Sequence, residues 1–123
     1  MTDTISEVLE TYYSVLRGGV AAFDGESRLR PILDEELSFE GPIAGRVSGA
    51  ERFLRGVSGF IQTVREVRMI EQLQAGDRAA ALYDADMPGG TVRFAEFFEI
   101  NGGRIRSLRL LYDAAEYRAR GGR

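Results

Sequence analysis

At 123 residues the chain has room for one domain with one hydrophobic core and not for two. It contains no cysteine and no histidine, which excludes thiol nucleophiles, disulfides, thiolate zinc sites, His-ligated metals and Ser-His-Asp triads. All 16 basic residues are arginine and the formal net charge is −3, so phosphate-rich partners are disfavoured and proton chemistry falls to Asp, Glu, Tyr or Arg.

In chain order, residues 4–17 predict an amphipathic helix, with Ile5, Val8, Leu9, Tyr12, Tyr13, Val15 and Leu16 at spacings of three and four. Gly18-Gly19 is expected to stop it. A short second helix is expected over 27–33, with Pro31 near its first turn. Residues 36–42 predict a strand that turns Leu37 and Phe39 to one face and ends at Pro42. Ser48-Gly49-Ala50-Glu51 has the form of a capping box, and Phe53, Val57, Phe60, Ile61 and Val64 continue it as a third helix. Strands follow over 67–75, 79–87, 91–100 and 104–113, punctuated by Gly76-Asp77, Pro88-Gly89-Gly90 and Gly102-Gly103. The segment from Ala114 onward, rich in Ala, Arg and Gly, is expected to fray. Three helices packed on the concave face of a strongly curved, mostly antiparallel sheet make an α+β domain over 1–117, with 118–123 as a flexible tail.

The most informative stretch is Val92-Arg93-Phe94-Ala95-Glu96-Phe97-Phe98-Glu99-Ile100. Side chains alternate along a strand, so Glu96 shares a face with Val92, Phe94, Phe98 and Ile100. A carboxylate there loses hydration, its pKa rises, and it becomes a candidate proton donor near neutral pH. The opposing reading is a structural acid satisfied by Arg109 or by a tyrosine hydroxyl.

The motif Phe97-Phe98-Glu99-Ile100-Asn101-Gly102-Gly103-Arg104-Ile105, ending in Leu111-Tyr112-Asp113, resembles the cone-shaped fold of nuclear transport factor 2. Within that superfamily the chain looks most like the SnoaL-like and ketosteroid-isomerase-like proteins. The resemblance runs from Glu7 to about Tyr117 and is more specific for fold than for activity. It implies Tyr12 as a phenol donor and Glu96 as the protonated acid. The family's general base falls on Gly41, a departure that leaves the adjacent Glu40 as the candidate, provided a bulge before Pro42 swings it inward. Similar polyether epoxide-opening cyclases point instead to Glu40 and Glu66. The limonene-epoxide-hydrolase pattern places Tyr83, Ala85 and Leu110 where it needs charged groups, and is discounted.

Asp84 and Asp86 lie on the strand face opposite Tyr83 and are read as a solvated or dimer-facing edge. Asp113 is read as a structural or capping residue, and Arg104, Arg106, Arg109, Arg118 and Arg120 as a solvated face or interface. Two functional readings stand. In the first, an acid/base enzyme of isomerase or cyclase type acts on a ketone, enone or epoxide. Tyr12, Glu40 and Glu96 are its catalytic groups, and Leu37, Phe39, Phe53, Val57, Phe60, Tyr83, Met87, Phe94, Phe98, Leu108, Leu110 and Tyr112 its pocket wall. In the second, a non-catalytic module binds an apolar ligand or dimerises. No cofactor, metal, nucleic acid or membrane partner is expected. A homodimer is expected, because polar outer strand positions suit one and many members of the family it resembles pair through the sheet, and a cytoplasmic location, because the acidic start lacks a basic leader followed by an apolar run.

Overall fold

The computed structural model describes residues 4–122. Helix α1 spans Thr4–Phe23 and buries Val8, Leu9, Tyr12, Tyr13, Val15 and Leu16. Gly19 interrupts it, as expected. With φ 71° and ψ −156° it kinks the chain, a conformation glycine adopts without steric cost, and a last helical turn returns Phe23 to the core. The helix expected over 27–33 is replaced by two 3-10 turns, Asp24–Glu26 and Arg30–Ile32. Pro31 supplies no N–H for an α-helical ladder, and the buried Leu29 and Leu33 pin the segment in a tighter path.

Strand β1 (Leu33–Gly41) begins three residues before the predicted strand and pairs with a four-residue β2 (Gly45–Ser48) that the sequence pattern did not reveal. Because β2 draws Ser48 into the sheet opposite Ser38, the expected capping box does not form. Gly49 is the N-cap of α2 (Ala50–Thr63), its amide donates to the Leu37 carbonyl at 2.8 Å, and Glu51 instead pairs with Arg30 at 2.8 Å.

The remaining strands, β3 (Glu66–Ala75), β4 (Arg78–Met87), β5 (Gly90–Asn101) and β6 (Arg104–Leu111), lie within two residues of the predicted bounds, although β3 is exposed along most of its length. They form one sheet in the order β2-β1-β6-β5-β4-β3, antiparallel except where β1 runs alongside β6. Helices α1 and α2 contribute the other half of the core. On β4 and β5 burial alternates without interruption from Ala79 to Met87 and from Val92 to Ile100.

The segment expected to fray is a third helix, α3 (Ala114–Ala119). Six residues are too few to be helical on propensity alone, so the cause is tertiary. Asp113 caps it by accepting from the Glu116 amide at 2.9 Å. Tyr117 is buried, its ring 5.9 Å from that of Phe94 and 5.1 Å from that of Tyr112. The Gly89 amide then donates to the Arg120 carbonyl at 2.8 Å, fastening the end of the helix to the β4–β5 turn. Among the described residues no helix is long and apolar enough to cross a membrane.

Candidate functional site

Glu96 is the only buried charged side chain among the described residues, with 1% of its surface exposed. The strand register sets its surroundings. On β4 its partner is Ala81, whose small side chain leaves room above the sheet, and on β6 its partner is Leu110. Consecutive tyrosines of α1 enter that room. Tyr12 donates its hydroxyl to Glu96 Oε2 at 2.8 Å, and Tyr13 donates to Oε1 at 2.9 Å. The rings meet edge to face with centroids 4.9 Å apart, so adjacent helix positions straddle one carboxyl.

Burial raises the Glu96 pKa from the ordinary range to about 7, and the hydrogen bonds from Tyr12, Tyr13 and the nearby Tyr83 act in the other direction without cancelling it. Among the described residues no cation reaches the group. Near neutral pH the acid and its carboxylate are therefore both populated. The same burial, reinforced by the negative charge of Glu96, pushes the hydroxyls of Tyr12, Tyr13 and Tyr83 well above their usual value, so they remain protonated donors.

The carboxyl opens onto a cavity of about 280 Å³ between the sheet, α1 and α2. Of the residues expected to wall it, Phe39, Phe53, Val57, Phe60, Tyr83, Phe94, Leu110 and Tyr112 do so, together with Tyr12 and Glu96. Leu37, Met87, Phe98 and Leu108 do not line it. Parity puts them on the inner face, but each is covered in the core, Phe98 by the edges of Tyr12 and Tyr13 at 5.6 and 6.2 Å. The remaining lining was not anticipated: Leu16 one turn beyond Tyr12, Gly41, Ile43, Ala44 and Val47 of the β1–β2 hairpin, Arg52 and Gly56 of α2, and Tyr117 of α3. Leu16 was legible from its four-residue spacing to Tyr12. Ile43, Ala44, Val47 and Tyr117 depend on the β2 hairpin and α3, which carry weak local signals, whereas Gly41, Arg52 and Gly56 lie on predicted elements and are brought to the cavity by how those elements pack.

Glu40 is not in the pocket. Its carboxylate pairs with Arg46 of β2 at 3.0 Å and lines a groove on the outer face of the sheet with Phe97, Arg109 and Leu111. The bulge that would have turned it inward lies earlier, between Leu33 and Ser38, and the register from Ser38 to Glu40 is regular. Strand alternation therefore keeps Phe39 and Gly41 inside and Glu40 outside. Glu66 is likewise outside, beside Arg68 at 3.4 Å. Asp84 and Asp86 occupy the outer face, paired with Arg93 and Arg68 respectively, as the alternation predicted. Arg109 does not pair with Glu96; the tyrosines do. Gly41 itself lines the cavity, but a Cβ there would meet the Phe39 ring at 3.0 Å, so that ring occupies the space a side chain at 41 would need.

A buried carboxyl reached by hydroxyls from the first helix, under a cone of antiparallel strands, is the arrangement the sequence resemblance implied. The SnoaL-like domain family matches residues 10–108, well over half of the chain. The chain belongs to that family. No curated protein sequence matches this SnoaL-like chain. Among solved structures it is similar to a protein from Kribbella flavida at 21% identity, covering 92% of this chain and 89% of the other with a TM-score of 0.80. It is similar also to a steroid delta-isomerase from Pseudomonas aeruginosa at 15% identity, covering 98% and 88% with a TM-score of 0.78. A de novo designed protein with a curved β-sheet shares the fold at 17% identity, covering 97% and 93% with a TM-score of 0.77. At such identities the likeness establishes the fold, and activity must be argued from the pocket.

Proposed function

We propose that this SnoaL-like protein binds a small, mainly apolar, oxygen-bearing molecule in the cavity and that Glu96 is the group that exchanges a proton with it, in isomerase-type chemistry on a ketone or enone. One observation carries the reading: a buried carboxyl with a pKa of about 7 lines an open apolar cavity. As the carboxylate, Glu96 takes a proton from the carbon beside a carbonyl, and as the acid so formed it returns that proton to the conjugated position. Tyr12, turned from Glu96 to the ligand, donates to the charge developing on the carbonyl oxygen. One carboxyl that takes and returns the same proton suits a pocket whose lining includes no other carboxyl.

The test is conversion of a β,γ-unsaturated cyclic ketone to its conjugated isomer, followed by absorbance, with exchange of its acidic protons in D2O followed by NMR. Glu96→Gln keeps ligand affinity within a few fold and loses turnover by about tenfold or more, the low end of what a positioned acid or base contributes. An active Glu96→Ala variant overturns the proposal.

A second reading, a non-catalytic binder, is favoured by two observations. Both Glu96 oxygens already accept from Tyr12 and Tyr13, and Glu40 faces away. Under it a fused-ring phenol raises the melting temperature while no ketone exchanges protons. A homodimer through the outer face is also proposed, supported by Phe97 and Leu111, which are 47% and 57% exposed around the outer groove. Sedimentation of wild type against Phe97→Arg tests it.

A further inference from the structure

The cavity is polar at both ends and apolar between. Its floor consists of Glu96, Tyr12, Tyr83 and Phe94, all nearly inaccessible to solvent. Its outer rim includes Ile43, Ala44, Gly56 and Arg52, all exposed. Arg52 and Glu96 are the only charged residues in the lining, and they sit at opposite ends of this gradient of burial.

Arg52 has no ion pair among the described residues. The carboxylate next to it in sequence, Glu51, is held by Arg30 at 2.8 Å. Arg55 also lacks a carboxylate partner among the described residues and lies one turn further along the same helix, adding positive potential on that side. A guanidinium on the rim of an apolar cavity presents a planar fork of donors that fits a carboxylate with two parallel hydrogen bonds.

We infer that the ligand is an amphiphilic oxo- or hydroxy-carboxylate: its neutral oxygen goes to the Glu96–Tyr12 floor, its apolar body fills the middle, and its carboxylate is held at the rim by Arg52. The two ends are not interchangeable. A carboxylate on the floor would be buried against Glu96 with no cation, whereas at Arg52 it keeps both water and a partner. Arg52 thereby fixes orientation as well as affinity and decides which oxygen of the ligand meets Glu96. This inference rests on the pocket reading above and adds the substrate class.

The test is binding of two probes, 2-naphthol and 6-hydroxy-2-naphthoic acid, to wild type and Arg52→Gln at low and high salt. Arg52 is exposed, so the variant folds. Wild type is expected to bind the hydroxy acid about fivefold or more tightly than the naphthol, an advantage typical of a well-formed Arg–carboxylate contact in partly wet surroundings. Arg52→Gln is expected to lose that advantage while its affinity for 2-naphthol stays unchanged, and added salt is expected to shrink the advantage in wild type alone. Naphthol binding with no preference for the acid, or a preference that survives in Arg52→Gln, overturns this inference and leaves the pocket reading intact. Failure of both probes to bind overturns both.

Discussion

Strands β4 and β5 carry acids on both faces, and the two faces treat them in opposite ways. On the outer face Asp84 accepts from Arg93 at 2.8 and 3.0 Å, and Asp86 accepts from Arg68 and, at 2.8 Å, from Thr91. The Arg93 hydrogen bonds hold Asp84 below its usual range, and those from Arg68, then Thr91, hold Asp86 down to about 2. On the inner face Glu96 has only neutral tyrosines as partners, and burial lifts it to about 7. Acids of nearly equal intrinsic strength are thus separated by about five pKa units through strand alternation and the presence or absence of a cation. The outer acids are surface charges held by arginines, whereas burial leaves the inner one with its acid and carboxylate forms close in energy near neutral pH.

The strongest way to break this contrast is through stability against pH. The folded protein holds the Glu96 proton up to about pH 7, whereas the unfolded chain releases it near pH 4.5. The folded state binds more protons across that window, so stability falls as pH rises through it, by up to about 3 kcal/mol. Denaturant unfolding of wild type and Glu96→Gln at pH 5 and pH 8 isolates the effect: the variant gains relative to wild type at the higher pH. A difference that does not move with pH would mean that Glu96 titrates normally.

Tyr13 sharpens the same point because it bonds Glu96 without lining the cavity. Tyr13→Phe removes one donor from the buried carboxylate. It is expected to cost about 1–3 kcal/mol at pH 8, less at pH 5, and to push the Glu96 pKa further up. An unchanged pH profile in that variant would show that the bond contributes nothing to the charged form.

Gly41→Asp adds a second acid to the inner face, at the position where the family resemblance expects a base. Crowding of the Phe39 ring is expected to cost about 1–2 kcal/mol. The added negative charge raises the Glu96 pKa, measurable as an alkaline shift in phenol binding.

Outer-face changes give the smallest effects. Arg93→Ala is expected to lower stability only slightly, an effect that vanishes at 1 M salt, because exposed ion pairs are weak and screened. Glu40→Gln is expected to leave ligand binding and turnover unchanged. A large loss of turnover in that variant would return Glu40 to the site.

Legibility followed periodicity. The β3 to β6 meander was readable from the turn residues between its strands, and the inward direction of Glu96 from the strict alternation of β5, which leaves little freedom of register. The C-terminal helix was not, because α3 is helical only through the Asp113 cap and the docking of Tyr117. The capping box at Ser48 failed for a related reason: a strand of four residues, too short to show a pattern, claimed the serine first. The second donor, Tyr13, looked like one more apolar position of α1, since nothing local says that two adjacent tyrosines will straddle one carboxyl.

By itself, then, the sequence determined the meander, the burial of one acid among apolar neighbours and the absence of sulfur and imidazole chemistry, all of which follow from residue identity and short-range alternation. Only the tertiary structure decided that Glu96 meets two tyrosine hydroxyls rather than Arg109, that Glu40 faces outward, and that Arg52 stands at the rim of the cavity. Those outcomes depend on how α1, α2 and β2 seat against the sheet, and contacts between elements distant in sequence are set by packing rather than by any local pattern.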